Sequence, residues 1–391
     1  MSQVPDVIVV GAGVIGSAVA FELSKRSVRV LLLDEALPGR ATSASAGGLW
    51  PIGEAIGLGC GVIYHAAQTG EASAGPASLP AVFRDFLAAS NARFPQLAVE
   101  LQDISGLDIE FSPGHGLLFL MFEERESEFV RGLAGSLPPS TRIDVLSADE
   151  VRRLEPALSP DLKGAALLSG EHQVNPMLLA EAFKRAAMRN GVHSRPDARV
   201  TGLRREGGRV TGVAVGDETI SCGTVINAAG AWAGTLAATI GLDLPVFPVR
   251  GQIVLTETLP PLLHSCLSTS ACYLSQKEHG EVLIGSTTER AGFDTSVTPA
   301  AIQSLCRGAM RAVPLLAQVM VKRCWAGLRP GTPDELPVLG PASGLTGYLN
   351  AAGGFRTGIV ASPLTGEVVA QLATGERPTL PVEPFLMRRF E

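Results

Sequence analysis

Hydrophobic residues at the start of the chain form two short runs, with a helical pattern between them. The first run ends at Val10 and the second spans Val28 to Leu33, and each is long enough for one buried strand. Between them, Ser17 to Leu23 carry apolar side chains at helical spacing. The turn Gly11-Ala12-Gly13-Val14-Ile15-Gly16 joins the first run to this helix, and Asp34-Glu35 follows the second run. The order strand, glycine turn, helix, strand and acid predicts a dinucleotide-binding unit.

Each part of this unit has a physical role. Gly11 permits the tight turn, Gly13 lets the backbone approach a pyrophosphate, and Gly16 lets the helix pack closely on the strand. The helix N-terminus offers N–H groups and the positive end of its dipole to the phosphates. Asp34 is placed to accept hydrogen bonds from ribose hydroxyls. Glycine turns alone are common in α/β proteins, so the prediction depends on the strands, helix and acid around this one.

The rest of the chain alternates between helical and strand patterns. Helices are predicted at Pro80–Arg93 and Pro176–Asn190, and Ser147-Ala148-Asp149-Glu150 is a capped helix start. Short strands are predicted at Ile109–Phe111, Leu117–Leu120, Ala198–Arg205, Arg209–Val215 and Thr219–Asn227. The last strand leads into Ala228-Ala229-Gly230, a segment of small residues that lets a cofactor approach the backbone.

Composition narrows the class of protein. The chain has 391 residues, 46% hydrophobic and 18% charged, a size that favours two closely connected domains. The net charge of -6, without a cluster of Lys and Arg, argues against nucleic acid as a partner. No segment approaches the ~20 apolar residues needed to cross a bilayer. The N-terminal run leads into the glycine turn and lacks the pattern of a signal peptide. We therefore expect neither a transmembrane segment nor a signal peptide.

The cysteines give no sign of a metal site. They show no CxxC pair, so neither zinc nor an iron–sulfur cluster is predicted in this chain. Their scatter is typical of reduced, mostly buried thiols, which favours a cytoplasmic location. They are Cys60, Cys222, Cys266, Cys272, Cys306 and Cys324.

Small and hydroxylated residues follow the acid of the opening unit, from Arg40 to Pro51. Such residues do not form a core, but their backbone and hydroxyl groups can lie against a flat or phosphorylated ligand. The alternative is a flexible loop. The position directly after Asp34 favours a ligand-binding loop. Trp50, at its end, is interpreted as a core residue, as are Trp232 and Trp325.

Further motifs follow in order along the chain: TSASAGG (42–48), INAAGAWA (226–233), VRGQIV (249–254), YLSQKEHGEVLIGSTTE (273–289), WAGLRPGTPDELPVLGP (325–341) and GGFRTGIVASPLTG (353–366). With the opening unit, they resemble the D-amino-acid oxidase and glycine oxidase superfamily of FAD flavoproteins across essentially the whole chain. The residues of these motifs are most similar to those of flavin subunits of hetero-oligomeric amino-acid dehydrogenases, such as the D-hydroxyproline dehydrogenase and hydrogen cyanide synthase types.

The resemblance implies an α/β fold with a glutathione-reductase-like, FAD-binding Rossmann domain. A second, α+β substrate domain would be built on a mixed or antiparallel sheet. On this basis, residues 1–90, 145–232 and 325–391 are expected to form the FAD-binding domain. Residues 91–144 and 233–324 are expected to form the substrate-binding domain.

The resemblance also implies noncovalent FAD, because no suitably placed Cys or His for covalent attachment is found near the flavin segments. Gly354 stands where glycine oxidases usually carry His, which changes the pocket near the flavin. The implied cofactor contacts, including the opening unit, are Gly11, Ala12, Gly13, Val14, Ile15, Gly16, Asp34, Glu35, Arg40, Thr42, Ser43, Ala46, Gly47, Gly48, Leu49, Val200, Ala229, Gly230, Trp232, Gly353, Gly354, Phe355, Arg356, Thr357, Gly358 and Ile359.

Three residues are candidates for positioning the substrate. Arg329, in GLRPGT, has a guanidinium fork that can hold a carboxylate bidentately, as the family arginine does. The alternative is a surface arginine paired with Asp334 or Glu335. Tyr273 matches a family tyrosine that lines the pocket, although an ordinary strand aromatic is the alternative. Arg356 is expected to contact substrate or flavin, and no general base is assigned.

The implied activity is oxidation of the C–N bond of a small amino acid by hydride transfer to FAD. D-Hydroxyproline or D-proline is favoured as substrate, and glycine or an opine is the alternative. We expect iron–sulfur partner subunits that pass electrons to a respiratory acceptor, with membrane association only through partners. Two alternatives stay open, a free-standing O₂-using oxidase and a flavin-bearing structural subunit that is inactive alone. An NAD-dependent dehydrogenase is disfavoured by INAAGAWA and GGFRTGI.

Overall fold

Two large β-sheets organise this computed structural model, which describes residues 4–59, 78–112, 114, 116–137, 141 and 143–391. The strands are β1 (Val7–Val10), β2 (Val30–Leu33), β3 (Gly48–Leu49), β4 (Leu117–Met121), β5 (Asp144–Ser147), β6 (Gly164–Leu168), β7 (His172–Gln173), β8 (His193–Arg195), β9 (Val200–Glu206), β10 (Arg209–Val215), β11 (Glu218–Ser221), β12 (Thr224–Asn227), β13 (Phe247–Thr258), β14 (Cys266–Ser268), β15 (Tyr273–Gln276), β16 (Glu281–Gly285), β17 (Val321–Gly331), β18 (Val338–Pro341) and β19 (Tyr348–Ala352). The helices are α1 (Val14–Ser24), α2 (Pro51–Ala55), α3 (Ala81–Asn91), α4 (Phe94–Ser105), α5 (Glu124–Ser136), α6 (Ala148–Leu154), α7 (Pro176–Arg189), α8 (Ala233–Ala238), α9 (Pro299–Ala312) and α10 (Gly358–Thr374).

The first sheet has six strands in the order β18-β19-β12-β1-β2-β8. All neighbours are parallel except β18 and β19. Alternate side chains of β1 enter two separate cores, Val7 and Val9 on the face covered by α1, α7 and α10, and Ile8 and Val10 on the other face. A strand buried on both faces needs the continuous apolar run seen in the sequence. The predicted strand–helix–strand order of the opening unit is therefore confirmed.

Parallel strands bring the cofactor-type loops to one edge of this sheet. The glycine turn follows β1, Asp34 follows β2, Ala228 follows β12, and Gly353 follows β19. Because β1, β2, β12 and β19 all run in the same direction, the four segments gather at their carboxyl ends. This is the edge at which open α/β sheets bind ligands.

The second sheet has eight strands in the order β17-β13-β16-β15-β14-β4-β6-β5. Only β14 and β4 pair in parallel, so the sheet is mixed. Helix α9 covers one face, with Leu118 and Leu120 of β4 in that core. The other face carries Leu117, Phe119 and Tyr273 and packs against Trp50. The fold is α/β with a second, mixed sheet, as the resemblance implies.

Predicted helices agree well with the structure. α3 and α7 lie within the predicted segments, and α6 begins with the reciprocal capping contacts of Ser147 and Glu150. Asn175 caps α7 by accepting hydrogen bonds from two backbone N–H groups of its first turn. Local periodicity and caps are sufficient to place these helices.

Two strand predictions are corrected by the structure. Ile109–Phe111 forms no strand, because Glu110 has a positive φ of 54° and the segment continues as a loop. Thr219–Asn227 divides into β11, which belongs to a three-stranded sheet with β9 and β10, and β12 of the first sheet. The break is at Gly223, where a Cβ would lie 2.8 Å from the carbonyl oxygen of Asp6, so the chain passes close to β1 at this point.

The predicted domain boundaries stay predictions. Strands β5 and β6 lie at the far edge of the second sheet, and β17 lies at its opposite edge. Across the ranges that the structure describes, no helix is both long and apolar enough to cross a membrane.

Candidate functional site

A cavity of about 430 Å³ opens between the carboxyl edge of the first sheet and the inner face of the second. Its volume lies in the range of small-molecule and cofactor sites. Its wall runs from Val200, at the start of β9 in the three-stranded sheet, to Arg329 and Tyr273 of the second large sheet. The predicted residues that line it are Gly11, Gly13, Val14, Ile15, Asp34, Glu35, Arg40, Thr42, Ala46, Gly48, Val200, Ala229, Gly230, Trp232, Tyr273, Arg329, Gly353, Gly354, Phe355, Arg356, Gly358 and Ile359.

The glycine turn is packed so closely that Gly11 and Gly16 have no room for side chains. Gly11 has a φ of 102°, and a Cβ at this position would collide with the Ala228 carbonyl oxygen. A Cβ at Gly16 would collide with the carbonyl oxygen of Gly11, so this glycine allows α1 to lie directly on the turn. The Val14 N–H donates to Thr42 Oγ1 at 3.1 Å, which fixes the loop after β2 to the start of α1.

Asp34 occupies the end of β2 with its carboxylate at the cavity wall. Its Oδ1 accepts the Ala12 N–H at 3.1 Å, and its Oδ2 accepts the Ala36 N–H at 3.1 Å. Arg40 donates to the same Oδ2 at 2.9 Å. These contacts hold the carboxylate in one orientation, between the glycine turn and the 40–48 loop.

The loop from Arg40 to Gly48 is anchored at several points. Gly327 has no room for a side chain, because a Cβ would collide with Ala44. The Lys277 ammonium donates to the carbonyl oxygen of Ala46 and, at 3.2 Å, to Gln173 Oε1. Burial lowers the pKa of Lys277 to about 8 from its ordinary 10.5. These contacts hold the small residues of the loop against the cavity.

Arg329 extends from β17 and lies over Gly251 of the neighbouring strand β13, where a Cβ would collide with the guanidinium. Its Nη1 donates to the Thr287 carbonyl oxygen at 3.0 Å, and its Nη2 donates to Ser286 Oγ. The alternative pairing with Asp334 or Glu335 does not occur, since Asp334 pairs with Arg389 at 2.7 Å and Glu335 with Arg356 at 2.9 Å. Arg329 therefore forms no ion pair with any residue in the described part of the chain.

Tyr273 and Trp50 form an aromatic wall beside Arg329. Tyr273 is 4% exposed and Trp50 is 3% exposed. Their rings meet edge to face with centroids 5.5 Å apart. The Tyr273 hydroxyl lies against Gly285, the residue before Ser286, because a Cβ on Gly285 would collide with it. The wall is continuous from Trp50 through Tyr273 to the hydroxyl of Ser286, which accepts a hydrogen bond from Arg329.

Arg356 lies at the cavity wall, but its charge is already balanced. Only 3% of its side chain is exposed, with Nε 3.4 Å from Glu54 Oε2 and Nη2 2.9 Å from Glu335 Oε2. Burial raises the pKa of Glu335, and the Arg356 charge opposes that rise. Two carboxylates share this guanidinium, which makes Arg356 a weaker candidate than Arg329 for a substrate carboxylate.

Six predicted contacts do not line the cavity. Leu49 is fully buried in the core, and Gly47, with a φ of 77°, packs against the Val174 carbonyl oxygen. The Ser43 and Thr357 hydroxyls donate to backbone carbonyl oxygens within their own turns. Ala12 and Gly16 support the turn from behind.

Sequence reasoning missed several residues of the site. Trp50, Glu54 and Ser286 line the cavity, and Lys277 holds its loop. The adjacency of Trp50 and Glu54 to TSASAGG was the available signal for the first two. Ser286 and Lys277 lie within the 273–289 motif, but nothing local indicates that they point towards the cavity.

Cysteines and metal-binding clusters do not contribute to the described site. None of the five described cysteines lines the cavity, and Cys60 lies outside the described residues. Burial raises the pKa of the Cys222 and Cys272 thiols to about 12. Among the residues with described positions, no group of three or more His, Cys, Asp or Glu side chains could hold a metal ion.

Known proteins match the chain along its length. The sequence model of the family described as "FAD dependent oxidoreductase" (DAO) matches residues 6–372. The hydrogen cyanide synthase subunit HcnC of Pseudomonas aeruginosa is 45% identical over 100% of this chain and 97% of its own length. The glycine oxidase of Geobacillus kaustophilus is 33% identical over 98% of this chain and 97% of its own length.

Solved structures show the same fold. The crystal structure of the Geobacillus kaustophilus glycine oxidase superposes with a TM-score of 0.87 at 31% identity, covering 99% of both chains. An L-proline dehydrogenase from P. horikoshii has a TM-score of 0.83 at 23% identity, covering 100% of this chain and 98% of its own. The second likeness concerns the fold alone.

Proposed function

The chain belongs to the DAO family of FAD-dependent oxidoreductases, and we propose that it oxidises the C–N bond of a small amino acid, with glycine as its substrate. The relative named glycine oxidase supports glycine. The sequence resemblance favoured D-hydroxyproline or D-proline, but none of the relatives above is named for either compound. Both stay in the substrate panel below.

The residues of the cavity fit FAD. The Gly11 and Gly16 positions have no space for a side chain, which leaves bare backbone at the start of α1 for a pyrophosphate. The oriented Asp34 carboxylate at the end of β2 suits ribose hydroxyls. Neither Cys nor His occurs among the described lining residues, which supports noncovalent binding. When bound, FAD supplies the acceptor for a hydride from the substrate α-carbon.

One observation carries the substrate proposal: Arg329 reaches the cavity with no carboxylate partner in the described structure. A guanidinium has five N–H donors, and two of them are already fixed by Thr287 and Ser286. These bonds orient the fork without neutralising it. A substrate carboxylate would supply the missing negative charge and accept the remaining N–H groups bidentately.

The residues around Arg329 determine how an amino acid is held. Arg329 binds the carboxylate, and the apolar faces of Trp50 and Tyr273 exclude water from the carbon beside it. An apolar surrounding favours the neutral amine over the ammonium, and the neutral amine is the form that can lose hydride. Positioning and desolvation are the contributions of the protein. We assign no general base.

We further propose that the chain works as one subunit of an assembly. A relative named as a synthase subunit supports this, and the chain itself has no predicted iron–sulfur ligands. Separate iron–sulfur chains would then carry the electrons onward. The glycine oxidase relatives favour a second candidate, a free-standing enzyme that passes electrons to O₂. A flavin-bearing subunit that is inactive alone stays the third alternative.

The test separates substrate from acceptor. The FAD-loaded chain is mixed anaerobically with glycine, D-hydroxyproline, D-proline and an opine, and loss of flavin absorbance is followed. We expect reduction by glycine. Turnover is then measured with O₂, with an artificial dye, and after co-expression with neighbouring genes. Rapid peroxide formation by the chain alone would contradict the subunit proposal, and no reduction by any amino acid in any preparation would contradict the activity.

A further inference from the structure

The aromatic wall beside Arg329 bears on substrate size. Trp50 follows β3 directly and precedes Pro51, the first residue of α2. Its indole folds back over Gly48, where a Cβ would collide with the ring. With Tyr273 it belongs to a buried cluster that includes Leu117 and Ile253 of the second sheet. The ring is therefore enclosed on the sides that do not face the cavity.

Moving this ring aside would be costly. A buried tryptophan removes roughly 150–250 Å² of surface from water, and the contacts with Gly48 and Tyr273 would be lost. The proline that follows disfavours the αR region for Trp50, and the φ of -115° and ψ of 66° of Trp50 lie outside that region. These contacts disfavour a rotation of the indole that would make room for a larger ligand.

A carboxylate held by Arg329 would place the substrate α-carbon near this wall. In an amino acid, the α-carbon is about 1.5 Å from the carboxyl carbon. A carboxylate on Arg329 therefore brings the α-carbon close to the Ser286 and Tyr273 side of the cavity, and Trp50 continues that surface. A side chain on the α-carbon would compete with the indole for space, whereas the hydrogens of glycine would not.

We infer that Trp50 is the residue that restricts the substrate to glycine, by occupying the space that the side chain of a larger amino acid requires. The inference rests on the proposed function, because it assumes a carboxylate on Arg329. In this role Trp50 acts through its size, in addition to excluding water from the substrate. We expect its replacement to change the preference between alanine and glycine, and the ratio of the two substrates separates this effect from any general loss of activity or flavin.

The experiment compares wild type with Trp50→Leu and Trp50→Phe, each loaded with FAD and purified with any co-expressed partners. Anaerobic flavin reduction is followed with glycine, D-alanine and L-alanine, and kred/Kd is measured for each. Trp325→Leu is the matched control. It removes a partly buried indole from the same core cluster but does not line the cavity. Flavin content and Tm are measured for every variant.

For wild type we expect a strong preference for glycine. Trp50→Leu should raise the alanine-to-glycine ratio for at least one enantiomer by roughly 10- to 200-fold, the range over which one methylene group is discriminated. Trp50→Phe should raise it less, and Trp325→Leu should leave it unchanged. If Trp50→Leu does not retain flavin, the direction of change in Trp50→Phe decides.

Two results would overturn the inference. One is an unchanged ratio in a flavin-loaded Trp50 variant, and the other is a wild type that is reduced by alanine as efficiently as by glycine. Both leave glycine oxidation intact and so differ from a failure of the proposed function. That failure would appear as no flavin reduction by glycine in wild type.

Discussion

Arg329 is the residue whose replacement tests the proposed site most directly. In Arg329→Leu the cavity loses the guanidinium that no described carboxylate neutralises, while the strand pairing of β17 with β13 is kept. Thr287 and Ser286 lose a partner, but both lie at the cavity wall or near it, where water can replace the lost hydrogen bonds. The flavin spectrum and flavin content should therefore be close to wild type.

The size of the effect follows from the pair that is lost. Removing one partner of a hydrogen-bonded charge pair at a site costs about 2–5 kcal/mol. At 1.4 kcal/mol per factor of ten, the Kd for glycine should rise roughly 30- to 4,000-fold. Arg329→Lys keeps the charge but not the fork, so its loss should be smaller.

Anaerobic stopped-flow measurement of flavin reduction against glycine concentration gives Kd and the limiting rate separately. Arg323→Leu is the matched control, since Arg323 lies on the same strand, is exposed, and does not line the cavity. Weakened binding in Arg323→Leu would show that general loss of positive charge is responsible. Two results would refute the reasoning: an unchanged Kd in Arg329→Leu, or a wild type reduced by methylamine as readily as by glycine.

Three further predictions concern the cofactor and the loop. Asp34→Ala should weaken FAD binding roughly 10- to 150-fold, because a hydrogen bond to a charged group contributes about 1.5–3 kcal/mol. The amount of flavin that stays bound through gel filtration measures this loss. The control Asp6→Ala, which removes an exposed ion pair with Arg29, should retain flavin. Gly327→Val should displace the 42–48 loop and lower both flavin content and Tm, because overpacking typically destabilises a protein by about 1–3 kcal/mol. Gly132→Ala should leave both quantities unchanged, since no described atom lies within 4 Å of the new Cβ. Burial lowers the pKa of Lys277 to about 8 from 10.5, so between these pH values the unfolded chain binds more protons than the folded chain. Wild type should therefore gain stability relative to Lys277→Met as the pH rises through that window. Thermal unfolding of both proteins at pH 7 and pH 9.5 measures this, and a constant difference in Tm would contradict it.

The parts of the fold that the sequence predicts well are those decided by neighbours in the chain. The continuous apolar run of β1, the glycine turn and α1 are one local unit, and the caps of α6 and α7 lie within four residues of the groups they satisfy. Strand membership is different. Thr219 to Asn227 has one continuous pattern in the sequence, but its two halves belong to different sheets. The division occurs at Gly223, which passes close to the carbonyl oxygen of Asp6, more than 200 residues away in the chain.

The same distinction applies to the site. The glycines and Asp34 are recognisable because their spacing is itself the chemical requirement for holding a dinucleotide. The ion-pair state of Arg356 is not, because its partner Glu54 comes from α2, and only the folded chain shows that two carboxylates balance one guanidinium. Lys277 is a further case, since a lysine beside a turn is usually exposed. Its partial burial results from the packing of the second sheet against the 40–48 loop.

The partners of Arg329 and Arg356 give a physical reason for the preference that their motifs already indicate for Arg329. Both arginines follow glycine-containing segments near the C-terminal part of the chain, and both reach the cavity. The difference is in their partners: Arg356 lies between Glu54 and Glu335, whereas the hydrogen bonds of Arg329 go to a carbonyl and a hydroxyl. Hydrogen bonds to neutral groups orient the guanidinium of Arg329 and leave its charge available to an anion. For that reason Arg329, and not Arg356, is the arginine expected to contribute most to binding an amino-acid carboxylate.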